Sequence, residues 1–169
     1  EDNTKVFQHL GVMLDCSRNA VMTVPAVKKY IDMLERLGYN TLMLYTEDTY
    51  EVDNQPLFGH LRGRYSKTEM KEIDDYCYSI GVEVVPCIQT LAHLENMFRW
   101  SEYRDVNDCD NILLAGEEKT YKLIDDMLST LSECFRSRKI HIGMDEAYRV
   151  GTGKYQELHG IEDRFDVIN

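Results

Sequence analysis

Four short apolar runs, each followed by polar residues, limit what this chain can fold into more than any other feature. They occupy residues 6–14, 41–46, 82–88 and 140–144. Segments with apolar residues at helical spacing separate them, which predicts the order β-α-β-α-β-α-β-α. The runs lack polar alternation, as is typical of strands buried on both faces. The pattern therefore predicts a parallel α/β sheet covered by helices.

Local signals predict where the helices begin and end. Thr23 is placed as the N-cap of the first helix, and Gly38 as the glycine that ends it. Ser66 and Glu69 have the spacing of a capping box at the start of the second helix. A short last helix is predicted over Lys154–His159. The third helix is predicted to bury a face at spacings of three and four residues, formed by Tyr121, Ile124, Leu128, Leu131 and Phe135.

Length and charge exclude several classes of protein. At 169 residues the chain has room for one domain, given about 150 residues per domain. Its 19 basic and 30 acidic residues give a formal charge of −11. Such a surface repels phosphate backbones and anionic lipids, so we expect neither nucleic acid nor membrane partners. Because no glycine-rich phosphate loop follows a strand, we expect no nucleotide cofactor.

The cysteines and the N-terminus bear on cellular location. The five cysteines are widely spaced and include no Cys-x-x-Cys pair, which favours a reducing compartment over a disulfide framework or a thiolate zinc site. No stretch reaches the roughly 20 apolar residues of a membrane span, and the first residues do not resemble a signal peptide. We therefore expect a cytoplasmic protein. The chain begins with Glu1, which suggests a piece of a longer protein.

Polar residues follow all four predicted strands. The carboxyl ends of parallel strands meet at one edge of a sheet, where α/β proteins build their sites. A site is therefore predicted from side chains that are far apart in sequence. They are Asp15 and Arg18, Glu47 and Asp48, Gln89 and His93, and Asp145 and Glu146.

The segment His-Ile-Gly-Met-Asp-Glu at residues 141–146 is the most informative of these. On a strand, His141, Gly143 and Asp145 would share one face, with Glu146 at the strand end. Two adjacent carboxylates repel each other, and this crowding would raise the pKa of one of them, as a general acid near neutral pH requires. A pair of acids that caps a helix is the alternative interpretation, and the spacing alone does not separate the two.

The pattern H-x-G-x-D-E resembles the motif of family 20 glycoside hydrolases, the β-N-acetylhexosaminidases. The longer run IHIGMDEAYRVGTGKY is similar to the hexosaminidase D branch of that family. GVMLDCSR, LMLYTEDTYE and VEVVPCIQTLAHLE resemble the family's first three strand ends, in the right order. Acidic residues often follow the strand-three proline in this family, whereas this chain has Cys87 and Gln89.

The resemblance covers roughly residues 6–160 and implies a fold. The family folds as a (β/α)8 barrel, which takes about 250 residues, so residues 1–169 would form a single partial catalytic domain. About four of eight β/α units would be present, as the N-terminal half of the barrel. Such a half has open strand edges, so we expect a homodimer that pairs half-barrel with half-barrel.

The resemblance also implies an activity, the removal of terminal β-linked N-acetylhexosamine by substrate-assisted retention. Glu146 would protonate the leaving oxygen and then activate water, and Asp145 would orient the 2-acetamido group that attacks the anomeric carbon. Arg18 and Glu47 would hold sugar hydroxyls. His93 would hydrogen-bond the acidic cluster, and His141 would support Asp145. The resemblance implies no cofactor and no metal.

Two other interpretations stay open. Imidazole and carboxylate groups on separate strand ends could instead bind the metal of a barrel hydrolase or isomerase. The candidate ligands are His93, Glu95, His141, Asp145 and Glu146. Alternatively, the chain is a folded fragment without activity of its own.

Overall fold

The computed structural model describes residues 7–18 and 20–168. Its main sheet has the order β1-β2-β3, with β1 over Gly11–Asp15, β2 over Thr41–Tyr45 and β3 over Glu83–Cys87. Both pairings are parallel. Three long helices connect and follow these strands, α1 over Val24–Arg36, α2 over Lys67–Ser79 and α3 over Glu118–Cys134. The predicted parallel α/β arrangement is therefore confirmed.

The helix ends follow the local signals. Gly38 adopts φ 87° just after α1, a conformation that glycine reaches without strain. Ser66 caps α2, and its side chain and that of Glu69 each accept a hydrogen bond from the other residue's backbone N–H. The last predicted helix is α4, over Lys154–His159, and α5 follows over Arg164–Val167. Thr23 is the N-cap residue of α1, but its side chain makes no capping hydrogen bond.

The core lies between the sheet and the helices. Register places Val12, Leu42 and Val84 side by side across the three strands. They pack with apolar residues of α1, α2 and α3, among them Val27, Ile31, Ile73, Cys77, Met127 and Leu131. The prediction of strands buried on both faces is wrong for β1, where Met13 is 49% exposed. Among the described strands β1 pairs only with β2, so it lies at the edge of the sheet.

The buried face of α3 agrees with the prediction only in part. Leu131 and Phe135 are buried as predicted, but Tyr121 is 58% exposed, and Ile124 and Leu128 are only partly buried. The other buried apolar residues of α3 are Leu123, Met127 and Cys134. Contact with α2 and the rest of the core decides which residues of the helix are covered. No helix in the described part of the chain is long and apolar enough to cross a membrane.

The predicted fourth strand is present as a single bridge. His141 pairs in parallel with Cys87, and its backbone accepts from Ile88 N at 2.8 Å and donates to Pro86 O at 2.9 Å. The segment thus lies beside β3. Gly143 has φ 53°, a left-handed conformation that interrupts the extended backbone. The regular alternation expected for residues 140–144 therefore does not hold.

The chain between β3 and α3 contains a second, smaller sheet. Strands β4, Asn107–Cys109, and β5, Ile112–Leu113, form an antiparallel hairpin. Leu91, Ala92, Ile112 and Val150 pack together beneath it as a separate apolar cluster. This cluster joins the hairpin to the segment that follows Glu146.

Candidate active site

The carboxyl ends of the parallel strands bring together five of the six residues to which the resemblance assigns a role. They are Arg18, Glu47, His93, Asp145 and Glu146. An Asx turn follows β1, in which Asp15 Oδ1 accepts from the backbone N–H groups of Ser17 and Arg18 at 2.9 and 3.1 Å. This turn directs Arg18 towards β2. Its guanidinium carbon lies 5.3 Å from the centre of the Tyr45 ring, and its Nε lies 3.6 Å from Glu47 Oε1.

Tyr45, at the end of β2, joins the residues from three strand ends. Its hydroxyl donates to Glu47 Oε1 at 3.1 Å and accepts from Gln89 Nε2 at 3.1 Å. Arg18 Nη2 lies 3.5 Å from the Tyr45 hydroxyl oxygen. Burial raises the pKa of Tyr45, so the hydroxyl keeps the proton that this arrangement requires.

Glu47 lies behind the exposed part of the site, with 4% of its surface accessible. Burial raises the pKa of its carboxyl, while the Tyr45 hydroxyl opposes that shift by donating to the carboxylate. Its backbone N–H donates to Ser17 Oγ at 2.6 Å, which fixes the β1 and β2 loops to each other. In this structure, Glu47 contacts Arg18 and Tyr45.

Gln89 connects this network to the acid pair. It is 1% exposed, and its Nε2 also donates to Asp145 Oδ1 at 3.0 Å. This hydrogen bond is the main reason that the pKa of Asp145 lies below its ordinary value, and nearby His93 adds to the effect. The crowding of the two acids was expected to raise the pKa of one of them; for Asp145 the shift is in the opposite direction.

Gly143 explains why the motif needs a glycine at its third position. A Cβ on this residue would lie 2.2 Å from Ile88 O and 2.7 Å from Gln89 Oε1. The close approach allows Thr90 N to donate to Gly143 O at 3.0 Å. A side chain at position 143 would therefore push the acid pair away from Gln89.

His93 contacts both acids of the pair. Its Nε2 lies 3.5 Å from Asp145 Oδ2 and 3.4 Å from Glu146 Oε2, distances that form an ion pair when the imidazole is protonated. His93 and Glu146 both have left-handed backbones, with φ 60° and 56°. Non-glycine residues persist in this conformation only where their surroundings hold them, at a cost of about 1–3 kcal/mol each.

His141 does not take the role predicted for it. It is exposed, and among the described residues its side chain makes no hydrogen bond to Asp145. The prediction assumed a regular strand, and the turn at Gly143 removes the shared face. Gln89 and His93 support Asp145 instead. Gln89 could be predicted as a site residue because it is polar and directly follows an apolar strand. The sequence contains no comparable signal for Tyr45.

A metal ion could be held by only part of the predicted ligand set. Atoms of His93, Asp145 and Glu146 lie within 4.8 Å of one another, which suits three ligands of a mononuclear site. Glu95 and His141 are exposed and lie outside that group. The same three residues also suit acid–base chemistry, since both acids lie beside a histidine and the hydrogen bond from Gln89 favours the ionised form of Asp145.

Comparison with known proteins shows which family the chain belongs to. The model of glycosyl hydrolase family 20, catalytic domain, matches residues 7–166. The chain belongs to glycosyl hydrolase family 20.

Relatives of this family 20 chain include human hexosaminidase D, which is 27% identical over 152 residues, covering 88% of this chain and 31% of the relative. Among solved structures, the family 20 β-N-acetylhexosaminidase from Streptomyces coelicolor A3(2) superposes with a TM-score of 0.74 at 29% identity, covering 86% of this chain and 34% of that chain. N-acetyl-β-hexosaminidase from Streptomyces plicatus, in complex with thio-NAglucal, gives 0.72 at 31% identity, with 82% and 32% covered. The family 20 chain thus spans about a third of these proteins.

A pH-dependence follows from the Gln89–Asp145 hydrogen bond. In the full-length enzyme, we expect Gln89→Met to move the acid limb of the kcat/KM profile to higher pH. The amide stabilises ionised Asp145, so without it the carboxyl takes up a proton at a higher pH. Gln156→Met, on the exposed face of α4, is the matched control. An unchanged acid limb in Gln89→Met would contradict the link.

Proposed function

We propose that the protein containing this chain removes terminal β-linked N-acetylhexosamine by substrate-assisted retaining catalysis. The observation that supports it best is the contact of His93 with both acids, together with the Gln89 hydrogen bond that keeps Asp145 ionised. A structure of the Streptomyces plicatus enzyme with product GlcNAc, 31% identical to this chain with a TM-score of 0.71, supports the substrate class.

In this mechanism the substrate's own acetamido oxygen attacks the anomeric carbon, so the protein supplies no nucleophile. Glu146 protonates the leaving glycosidic oxygen and then takes a proton from water in the second step. Asp145 orients the acetamido N–H and stabilises the positive charge that develops on the oxazolinium ring. Arg18 binds hydroxyls of the terminal sugar, with Glu47 and Tyr45 fixing the direction of its guanidinium.

Assay of the full-length protein on aryl β-N-acetylglucosaminides and β-N-acetylgalactosaminides tests this proposal. Release of the terminal sugar with retained configuration supports it. The chelator arm of the same assay tests the metal-dependent alternative, which the three converging ligand atoms favour. Activity that disappears with EDTA and returns with zinc or manganese would support the metal-dependent alternative.

The chain itself corresponds to the N-terminal half of the catalytic barrel in this proposal, with about four of eight β/α units. Its length relative to the solved relatives supports this, as do the apolar side chains it leaves in water. Met13, Ile142 and Met144 are 44–49% exposed around the edges of the sheet. In a complete barrel, further strands would pair with these edges.

The isolated chain is accordingly expected to self-associate as a two-fold dimer with very low or no activity. Open edges and apolar side chains favour association, and the charge of −11 weakens it. Light scattering at several concentrations and a chromogenic N-acetylglucosaminide assay measure the two properties. Ile142→Lys should lower the dimer fraction, whereas Ile161→Lys, at a site 86% exposed, should not. A stable monomer with normal turnover would contradict this expectation.

We also propose a cytoplasmic location without nucleic acid or membrane partners. The five free cysteines support a reducing compartment, and four of them are buried. The acidic charge supports the absence of polyanionic partners. Disulfides among these cysteines in protein isolated from its source would contradict the proposed location.

A further inference from the structure

The backbone of Glu146 is strained, and the contacts that hold it come from a distant part of the chain. With φ 56°, Glu146 requires a fixed environment to keep its conformation. The turn that follows it is closed by short-range hydrogen bonds, from Tyr148 N to Glu146 O at 2.8 Å and from Val150 N to Ala147 O at 3.2 Å. These bonds shape the turn but do not attach it to the rest of the protein.

Asp108, on strand β4, makes that attachment. It is 7% exposed, and its carboxylate accepts from two backbone N–H groups, Gly151 at 2.7 Å and Tyr155 at 2.8 Å. Gly153 lies so close that a Cβ would be 2.2 Å from Asp108 O. The hairpin and the segment after Glu146 are therefore packed together, with one buried carboxylate as the main polar connection.

Neighbouring contacts strengthen the same connection. Val150 is 3% exposed and packs against Ile112 of β5 and against Leu91. Cys109 Sγ donates to Arg149 O at 3.2 Å. An exposed ion pair also joins Arg149 to Asp110 at 2.6 Å, but solvent screens it, so it adds little to the connection.

We propose that Asp108 is a positioning residue for Glu146, which rests on the proposed function. By accepting from Gly151 and Tyr155, it fixes the turn so that the Glu146 carboxyl stays beside His93, where it meets the leaving oxygen. The hairpin between β3 and α3 then affects catalysis through the Asp108 carboxylate. Asparagine at position 108 keeps the shape but replaces one accepting oxygen with an NH2 group that cannot accept.

The experiment compares Asp108→Asn with Asp110→Asn in the full-length enzyme. Misplacing the acid slows substrates whose leaving groups need protonation, so turnover of those with poor leaving groups should fall about 10- to 100-fold. Substrates with very good leaving groups should be much less affected, and KM should change little. Asp110→Asn removes only the exposed pair, and asparagine suits the φ of 46° at that position, so both rates should stay unchanged.

Hydrogen–deuterium exchange of the peptide covering residues 146–155 gives a readout that does not depend on activity. Exchange should be faster in Asp108→Asn and unchanged in Asp110→Asn. Equal losses on both substrate classes, or unchanged exchange, would overturn the proposal. If Asp108→Asn does not fold, Cys109→Ala should show the same split at smaller size. An inactive wild type would contradict the proposed function, and the exchange result would still decide whether Asp108 fixes the turn.

Discussion

Replacing Glu146 with glutamine should lower hydrolysis of N-acetylhexosaminides with poor leaving groups by ~10²–10⁴ in the full-length enzyme. Glutamine keeps the shape of the side chain but cannot donate the proton that the leaving oxygen needs. The side chain is 56% exposed and its Oε2 lies 3.4 Å from His93 Nε2, so the substitution should leave the fold intact. Steady-state rates on a series of aryl glycosides measure the effect.

The dependence on the leaving group separates this role from a general loss of structure. Substrates with very good leaving groups depart without a proton, so their glycosylation step should suffer less. Glu157→Gln, on exposed α4, changes the same functional group outside the site and serves as the control. If Glu146→Gln left both substrate classes unaffected, the assignment of the acid would be wrong.

Asp145→Asn should reduce turnover by ~10²–10³ on all substrates, whatever the leaving group, because it removes a charge that stabilises the transition state. Asparagine can still accept from Gln89 Nε2 through its remaining oxygen, so the position of the side chain should be kept. What is lost is the negative charge that faces the developing oxazolinium. A thiazoline mimic of this ring should therefore bind the variant less tightly than it binds the wild type.

Inhibition constants for the thiazoline, measured beside turnover, test this role, with Asp125→Asn on the exposed surface of α3 as control. EDTA should change neither quantity in the wild type. Undiminished thiazoline binding to Asp145→Asn would contradict the role of Asp145. Loss of wild-type activity in EDTA would instead favour metal ligation by His93, Asp145 and Glu146.

Much of the fold could be predicted because its signals are local. The capping box of Ser66 and Glu69 and the glycine after α1 involve residues a few positions apart, and their backbone requirements are met within one turn of chain. The buried face of α3 could not be predicted in this way. Apolar residues on two adjacent rows of that helix have helical spacing, and packing against α2 and the rest of the core decides which of them are buried.

The site also has a part that local signals predict and a part that they do not. Sequence placed Asp145, Glu146, Arg18 and His93 at strand ends, and register then brings strand ends together at one edge of the sheet. The support for Asp145 was assigned to His141 on the assumption of a regular strand, and the turn at Gly143 makes that assignment wrong. The actual donor is Gln89, 56 residues away in sequence.

The sequence by itself determined the order of the first three strands and the long helices, the capping box of α2, and the acid pair that follows residues 140–144. These features depend on periodicity and on residues close together in the chain, so the sequence alone is enough to predict them. Only the tertiary structure decided that Tyr45 links Glu47 to Gln89, and that Asp108 holds the turn after Glu146. Such contacts join residues tens of positions apart, and a hydrogen bond needs its two atoms within about 3 Å. No local pattern encodes that distance; it arises when the strands pair and the hairpin packs against the loop.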